Sequence, residues 1–143
     1  HRIELVRIKD GVRFYNDSIA SSPSRTMAGL RSFEKKVILI AGGYDKHIPY
    51  DDLGPEICTH VKKLFLGGAT GKLIQAAVEK APEFRPGFPE IRDCGDFESA
   101  VRAAAAAAES GDIVLMSPAS AAFDQFKNFM VRGQFFKKLV MEL

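Results

Sequence analysis

Two different periodicities divide this chain. Residues 3–8 and 12–16 alternate or run apolar on either side of Asp10-Gly11, a two-residue turn signal that predicts an opening antiparallel hairpin. Beyond it the apolar runs at 37–41, 63–66 and 113–116 are short, mostly unbroken and followed by Gly or Ser-Pro, as expected of parallel strands buried on both faces. A weaker strand is predicted at 90–93, and helices at 23–33, 51–60, 70–80, 97–109 and 125–142. This alternation predicts an α/β fold, a mostly parallel sheet of about six strands with helices on both faces and right-handed connections.

Two helical segments carry further information. In the last, Phe126, Phe129, Met130, Phe136, Leu139, Val140 and Leu143 recur at three- and four-residue intervals, which reads as one core-facing stripe, with Phe129 set apart near its start. The alanine run at 103–108 resembles low complexity, but Phe97, Ala100, Val101, Ala104 and Ala108 fall at helical spacing between Asp96 and Gly111, which predicts a closely packed helix. In a parallel sheet, ligands gather at the carboxyl ends of the strands, so segments 16–22, 42–48, 67–71 and 117–124 are the ones to search.

Composition narrows the picture. At 143 residues and 46% hydrophobic content the chain is expected to form one domain with a full core. Twenty basic and eighteen acidic residues, without a basic block, argue against a nucleic-acid partner and leave a polyanionic small molecule open. Cys58 and Cys94 are far apart and lack ligand spacing, which predicts neither a zinc site nor a disulfide framework. No run approaches the length of a membrane span. The start at His1, without Met and reading as a strand in mid-course, suggests a fragment of a longer protein.

Candidate chemistry lies after the strands. Ser22 and Pro23 read as an N-cap and first helical turn, aiming free N–H groups above the sheet edge where an anion binds; on local evidence Ser21 and Ser22 also serve as ordinary caps. Lys46, just past a Gly-Gly turn, is either a carboxylate partner reaching over the sheet edge or a solvated loop residue. Gly67-Gly68-Ala69-Thr70-Gly71-Lys72 is not a P-loop: that motif requires Gly where Leu66 stands and a hydroxyl where Leu73 stands, so it reads as a turn and a helix start. His1, His47 and His60 lack ligand spacing, and no metal site is predicted.

The order His1-Arg2, Asn16-Asp17-Ser18, Gly42-Gly43-x-x-Lys46, Ser117-Pro118-Ala119, Phe123-Asp124-Gln125-Phe126-Lys127-Asn128-Phe129 and Arg132-Gly133 resembles the C-terminal domain of the Mur ligases across essentially the whole chain. The resemblance implies a Rossmann-like fold preceded, in a full-length ligase, by a UDP-substrate domain and a central ATPase domain that lie outside these residues. It implies a cytoplasmic, monomeric enzyme of peptidoglycan precursor synthesis that uses ATP and magnesium, bound mainly by the central domain. It also implies that this domain holds the incoming amino acid, closes over ATP, contributes no catalytic residue and is inactive alone. Within the family the motifs favour the branch that adds D-glutamate to UDP-N-acetylmuramoyl-L-alanine. Other Mur ligases, folylpolyglutamate synthase and a non-catalytic Rossmann-like nucleotide-binding module are the alternatives.

Matched by position, the resemblance implies ATP contacts for Arg2, Asp17 and Asn16, and D-glutamate contacts for Lys46, Ser21, Phe129 and Phe123. Three positions depart from the family pattern. Ile19 stands where Lys is usual, Ser22 where Asn is usual, and Ala122 where a serine commonly takes the side-chain carboxylate of D-glutamate, which points to Ser120 or the amides opening the last helix as substitutes.

Overall fold

The computed structural model describes residues 1–123 and 125–143; Asp124, within the Phe-Asp-Gln-Phe part of the motif, lies outside them. Strands β1 (Glu4–Lys9) and β2 (Val12–Asn16) form the hairpin, with Asp10 and Gly11 both at positive φ (53° and 78°). Then follow α1 (Pro23–Leu30), β3 (Val37–Ala41), α2 (Leu53–His60), β4 (Val61–Leu66), α3 (Gly71–Lys80), β5 (Glu90–Asp93), α4 (Phe97–Ala107), β6 (Ile113–Met116) and α5 (Phe129–Met141). The sheet order is β1-β2-β6-β3-β4-β5, antiparallel between β1 and β2 and parallel elsewhere.

The unbroken apolar strands are buried on both sides because the side-chain period of two feeds two cores. Leu39, Leu64, Leu66 and Leu115 face one layer, where they meet Leu30 of α1, Leu53 and Ile57 of α2, and Ile74 and Val78 of α3. Ile38, Ile40, Phe65, Val114 and Met116 face the other, against Phe97, Ala100, Val101 and Ala104 of α4 and Phe136, Leu139 and Val140 of α5. The alanine run is thus a packed helix, capped by the Asp96 side chain, which accepts from the Ser99 N–H at 2.8 Å. Among the described residues no helix is long and apolar enough to cross a membrane.

The strand after α4 inserts between β2 and β3, so β6 sits beside strands whose following helices lie on the opposite face of the sheet from α5. The carboxyl ends of β2, β3 and β6 therefore flank the switch point of the sheet, the crevice position at which ligands of such sheets bind.

The largest correction concerns the last helix, which begins at Phe129 rather than at 125. Asn128 caps it in extended conformation, its side chain accepting from the Val131 N–H at 2.9 Å. Phe126 therefore belongs to the preceding loop and packs edge-on against Phe97, centroids 5.3 Å apart, while Met130 is exposed. Smaller corrections follow the same logic: α1 stops at Leu30 and α4 at Ala107, each ended by its local backbone rather than by the apolar pattern.

Candidate functional site

The loop after β2 is a compact knot of buried polar groups. Asn16, wholly buried, accepts from the Ser18 N–H at 3.0 Å and donates to Glu4 Oε1 at 3.0 Å, an Asx-type turn that lets the chain reverse without unpaired backbone. Asp17 is 3% exposed; its Oδ1 accepts from the Ile3 N–H at 3.2 Å and its Oδ2 from Ser117 Oγ at 2.8 Å. Gly29 of α1 is required there, because a Cβ would stand 2.8 Å from Asp17 Oδ2. Arg2, exposed, and Asp17 line one cleft of about 310 Å³ with Ile19 and Arg25. Ser22 is the N-cap of α1, but its side chain makes no cap bond, so Ser21 and Ser22 do not close the helix end.

Burial pushes the Asp17 carboxyl above its ordinary value of 3.8, against the opposing pull of Ser117, the Ile3 amide and Arg2. The folded chain thus holds the Asp17 proton at pH values where the unfolded chain has released it. Asp17 contributes stability below pH 3.8 that is lost as pH rises through the higher folded value. Asp17→Asn should remove that slope. Thermal melts should show the variant faring better against the parent at pH 7 than at pH 3.5, and equal differences at both pH values would refute it.

The loops after β3 and β6 are stitched together. Gly42 (φ 108°) donates to the Pro118 carbonyl at 2.9 Å, and Tyr44 to the Ala121 carbonyl at 2.9 Å. The Tyr44 ring meets Phe123 edge-on, centroids 5.8 Å apart, and Phe123 is 55% exposed. Lys46 follows on the same loop, exposed and without a hydrogen bond or ion pair among the described residues. Gly67 and Gly68 form a tight corner: a Cβ on Gly68 would stand 2.9 Å from Gly43 Cα, so this turn serves packing between loops.

Ser120 differs from the expectation placed on it. It is wholly buried, with its Oγ 2.9 Å from Tyr50 Oη and 2.8 Å from Thr70 Oγ1. Thr70 in turn accepts from the Gly43 N–H at 2.9 Å. The hydroxyl is spent on fixing three loops and does not face the crevice. Phe129 is half-buried, its ring edge-on to His1 at 5.9 Å and its carbonyl accepting from Ser18 Oγ at 2.6 Å. With Asn128 satisfying Val131 and Arg132, the N–H groups of Phe129 and Met130 are the first-turn donors that lack intrahelical partners.

Arg132, part of the Arg132-Gly133 motif, has no role legible in the sequence alone. Arg132 is 1% exposed, on the buried face of α5 with Phe136, four residues on. Its guanidinium donates to Ser18 Oγ (2.9 Å), the Ser18 carbonyl (2.7 Å), the Ser120 carbonyl (2.8 Å) and Ser21 Oγ (3.3 Å). Burial lowers its pKa to about 10, well above neutrality, so a charged side chain sits in the core on neutral acceptors. The signal available was a charged residue at an apolar-stripe position.

Arg2 and Asp17 thus line one cleft, Ser21 and the Phe129 carbonyl join the buried network of Arg132 and Ser18, and Tyr44, Lys46 and Phe123 belong to the joined loops after β3 and β6. Among the described residues no group of three or more His, Cys, Asp or Glu could hold a metal ion.

The profile of the family described as "Mur ligase, glutamate ligase domain" matches residues 1–120. A UDP-N-acetylmuramoylalanine--D-glutamate ligase of Acetivibrio thermocellus is 57% identical over 143 residues, 98% of this chain and 30% of the relative. Ligases of the same name from Clostridium perfringens (49%, covering 98% of this chain and 31% of the relative) and Clostridium novyi (52%, covering 100% and 31%) are also similar. The chain spans about three-tenths of the length of these relatives. Among solved structures, a UDP-N-acetylmuramoyl-L-alanyl-D-glutamate--2,6-diaminopimelate ligase superposes with a TM-score of 0.66 at 15% identity, covering 99% of this chain and 32% of that one. A domain of a ligase from Haemophilus ducreyi superposes at 0.61 and 15% identity, covering 96% and 99%, so both show the fold. On the profile match over most of its length, the chain belongs to the Mur ligase family, as its glutamate ligase domain.

Proposed function

We propose that this chain is the amino-acid-binding C-terminal domain of an ATP-dependent ligase that joins D-glutamate to UDP-N-acetylmuramoyl-L-alanine in peptidoglycan precursor synthesis. The observation that carries the reading is identity of 49–57% over nearly the whole chain to ligases of that name. In the full enzyme, which acts in the cytoplasm as a monomer, ATP phosphorylates the precursor's carboxylate and releases ADP. The amine of D-glutamate then attacks the acyl phosphate, forming the amide and releasing phosphate. This domain brings that amine to the acyl carbon.

Lys46 is the partner of a D-glutamate carboxylate, with Ser21 as a hydroxyl contact and the open amides of α5 at Phe129 as donors. Phe123 and the Phe129 ring wall the site. Ala122 offers no hydroxyl, and Ser120 supports the site from behind through Tyr50 and Thr70. Arg2 and Asp17 border the nucleotide, with Asn16 holding their loop. The cleft with Arg2 and Arg25 fits the phosphate edge of ATP, and the magnesium and the phosphate loop fall mainly to the central ATPase domain of the full-length ligase.

The test is ADP release by the full-length enzyme with each amino acid in turn. D-glutamate alone should support turnover with UDP-N-acetylmuramoyl-L-alanine. Equal turnover with L-glutamate, L-lysine or diaminopimelate would place the chain elsewhere in the family. No ADP release with any of them would favour a non-catalytic nucleotide-binding module.

A further inference from the structure

We propose that Arg132 is a positioning residue of the amino-acid site, its buried guanidinium locking the loops after β2 and β6 in the one relative placement that lets Ser21 meet the incoming amino acid. The inference rests on the reading of the site given above.

The fork adds a side-chain bridge between loops that the backbone already brings together, where the Ala119 N–H donates to the Ala20 carbonyl at 2.9 Å and Ser117 Oγ to Asp17 Oδ2 at 2.8 Å. Nε and Nη2 hold Ser18 by its hydroxyl and its carbonyl, Nη1 holds the Ser120 carbonyl, and Nη2 also reaches Ser21 Oγ. Ser18 Oγ passes the constraint on to the Phe129 carbonyl, at the start of the helix that carries Arg132. The third loop abuts the same group: an ideal Cβ on Gly43 would lie 3.6 Å from Nη1. Four planar contacts in two directions demand a guanidinium; an ammonium on a flexible stem cannot span Ser18 and Ser120 together. All four acceptors are neutral and no carboxylate pairs with the guanidinium among the described residues, so a dicarboxylate arriving above it meets a positive charge. A residue kept only for packing needs neither feature, since burying a cation is costly.

Steady-state kinetics on the full-length ligase test this with Arg132→Lys, which retains the charge and loses the fork. The KM for D-glutamate should rise at least ~10-fold, with the KM for ATP and for the UDP precursor held within ~2-fold. Combined with Ser21→Ala, the double variant should be little worse than Arg132→Lys alone, because one residue acts through the other. A parallel rise in all three KM values, or strict additivity with Ser21→Ala, would reduce Arg132 to a purely structural role and overturn the proposal. Ser18→Ala guards against misfolding of the lysine variant. It removes one acceptor and keeps Arg132, and should raise the D-glutamate KM about 3-fold or more; an unchanged KM there also overturns it. Lys46→Ala, run alongside, separates the two levels. If it leaves the D-glutamate KM unmoved, the site reading itself fails; if it raises that KM while Arg132→Lys does not, only the present inference fails.

Discussion

Replacing Lys46 by alanine in the full-length ligase should raise the KM for D-glutamate about 10- to 100-fold and lower kcat as well. A charge-assisted hydrogen bond to a partly desolvated carboxylate contributes about 1.5–3 kcal/mol, and each ~1.4 kcal/mol is a factor of ten. The kcat effect follows from misplacing the attacking amine, since orientation is what the domain supplies. The structural setting suits this task. The Lys46 side chain has no partner among the described residues, but the loop beneath it is pinned by Tyr44 to Ala121 and, further on, by the buried Tyr50 to Ser120. A free amine on an anchored arm loses little entropy of the backbone on meeting a ligand. Lys46→Arg should restore little, because the planar fork requires another approach. The KM for ATP and the precursor should move less than ~3-fold. Unchanged D-glutamate kinetics would return Lys46 to a solvated loop.

The second large effect concerns the turn that carries that arm. Gly42→Ala should destabilise the chain by about 3 kcal/mol, lowering its melting midpoint by roughly 10 °C. Gly42 has φ 108°, which L side chains rarely adopt, and an added Cβ would overlap the Gly67 carbonyl oxygen, a backbone atom held at the next strand end by the Gly67 N–H to Ala41 bond of 3.1 Å. Neither neighbour has a rotamer by which to yield. The same shift would pull Gly42 away from Pro118 and loosen the crevice, so ligand affinity should fall with stability. A midpoint within ~2 °C of the parent would show that the two loops tolerate separation.

Several features were legible in the amino-acid order because they depend on local chemistry. The Asp10-Gly11 turn, the apolar strands and the packed alanine helix follow from dihedral preference and side-chain period. The mostly parallel sheet followed from the alternation, and the family from motifs spread over the chain. Local pattern was misleading at the last helix, where Phe126 keeps helical spacing with its successors although Asn128 has begun the helix after it.

What only the tertiary structure decided are the properties that belong to more than one segment. Whether Ser120 faces a ligand depends on Tyr50 and Thr70, which reach it from 70 and 50 residues away. Asp17 reads as an accessible carboxylate until Ser117 and the Ile3 amide enclose it. Arg132 stands at an apolar-stripe position without a visible partner until the sheet order puts β6 between β2 and β3, bringing the Ser18 and Ser120 carbonyls to one guanidinium. Strand insertion is a long-range event that leaves no mark on neighbouring residues. The elements were therefore written locally, whereas the division of polar groups into those that support the crevice and those that face it arose from how the loops meet.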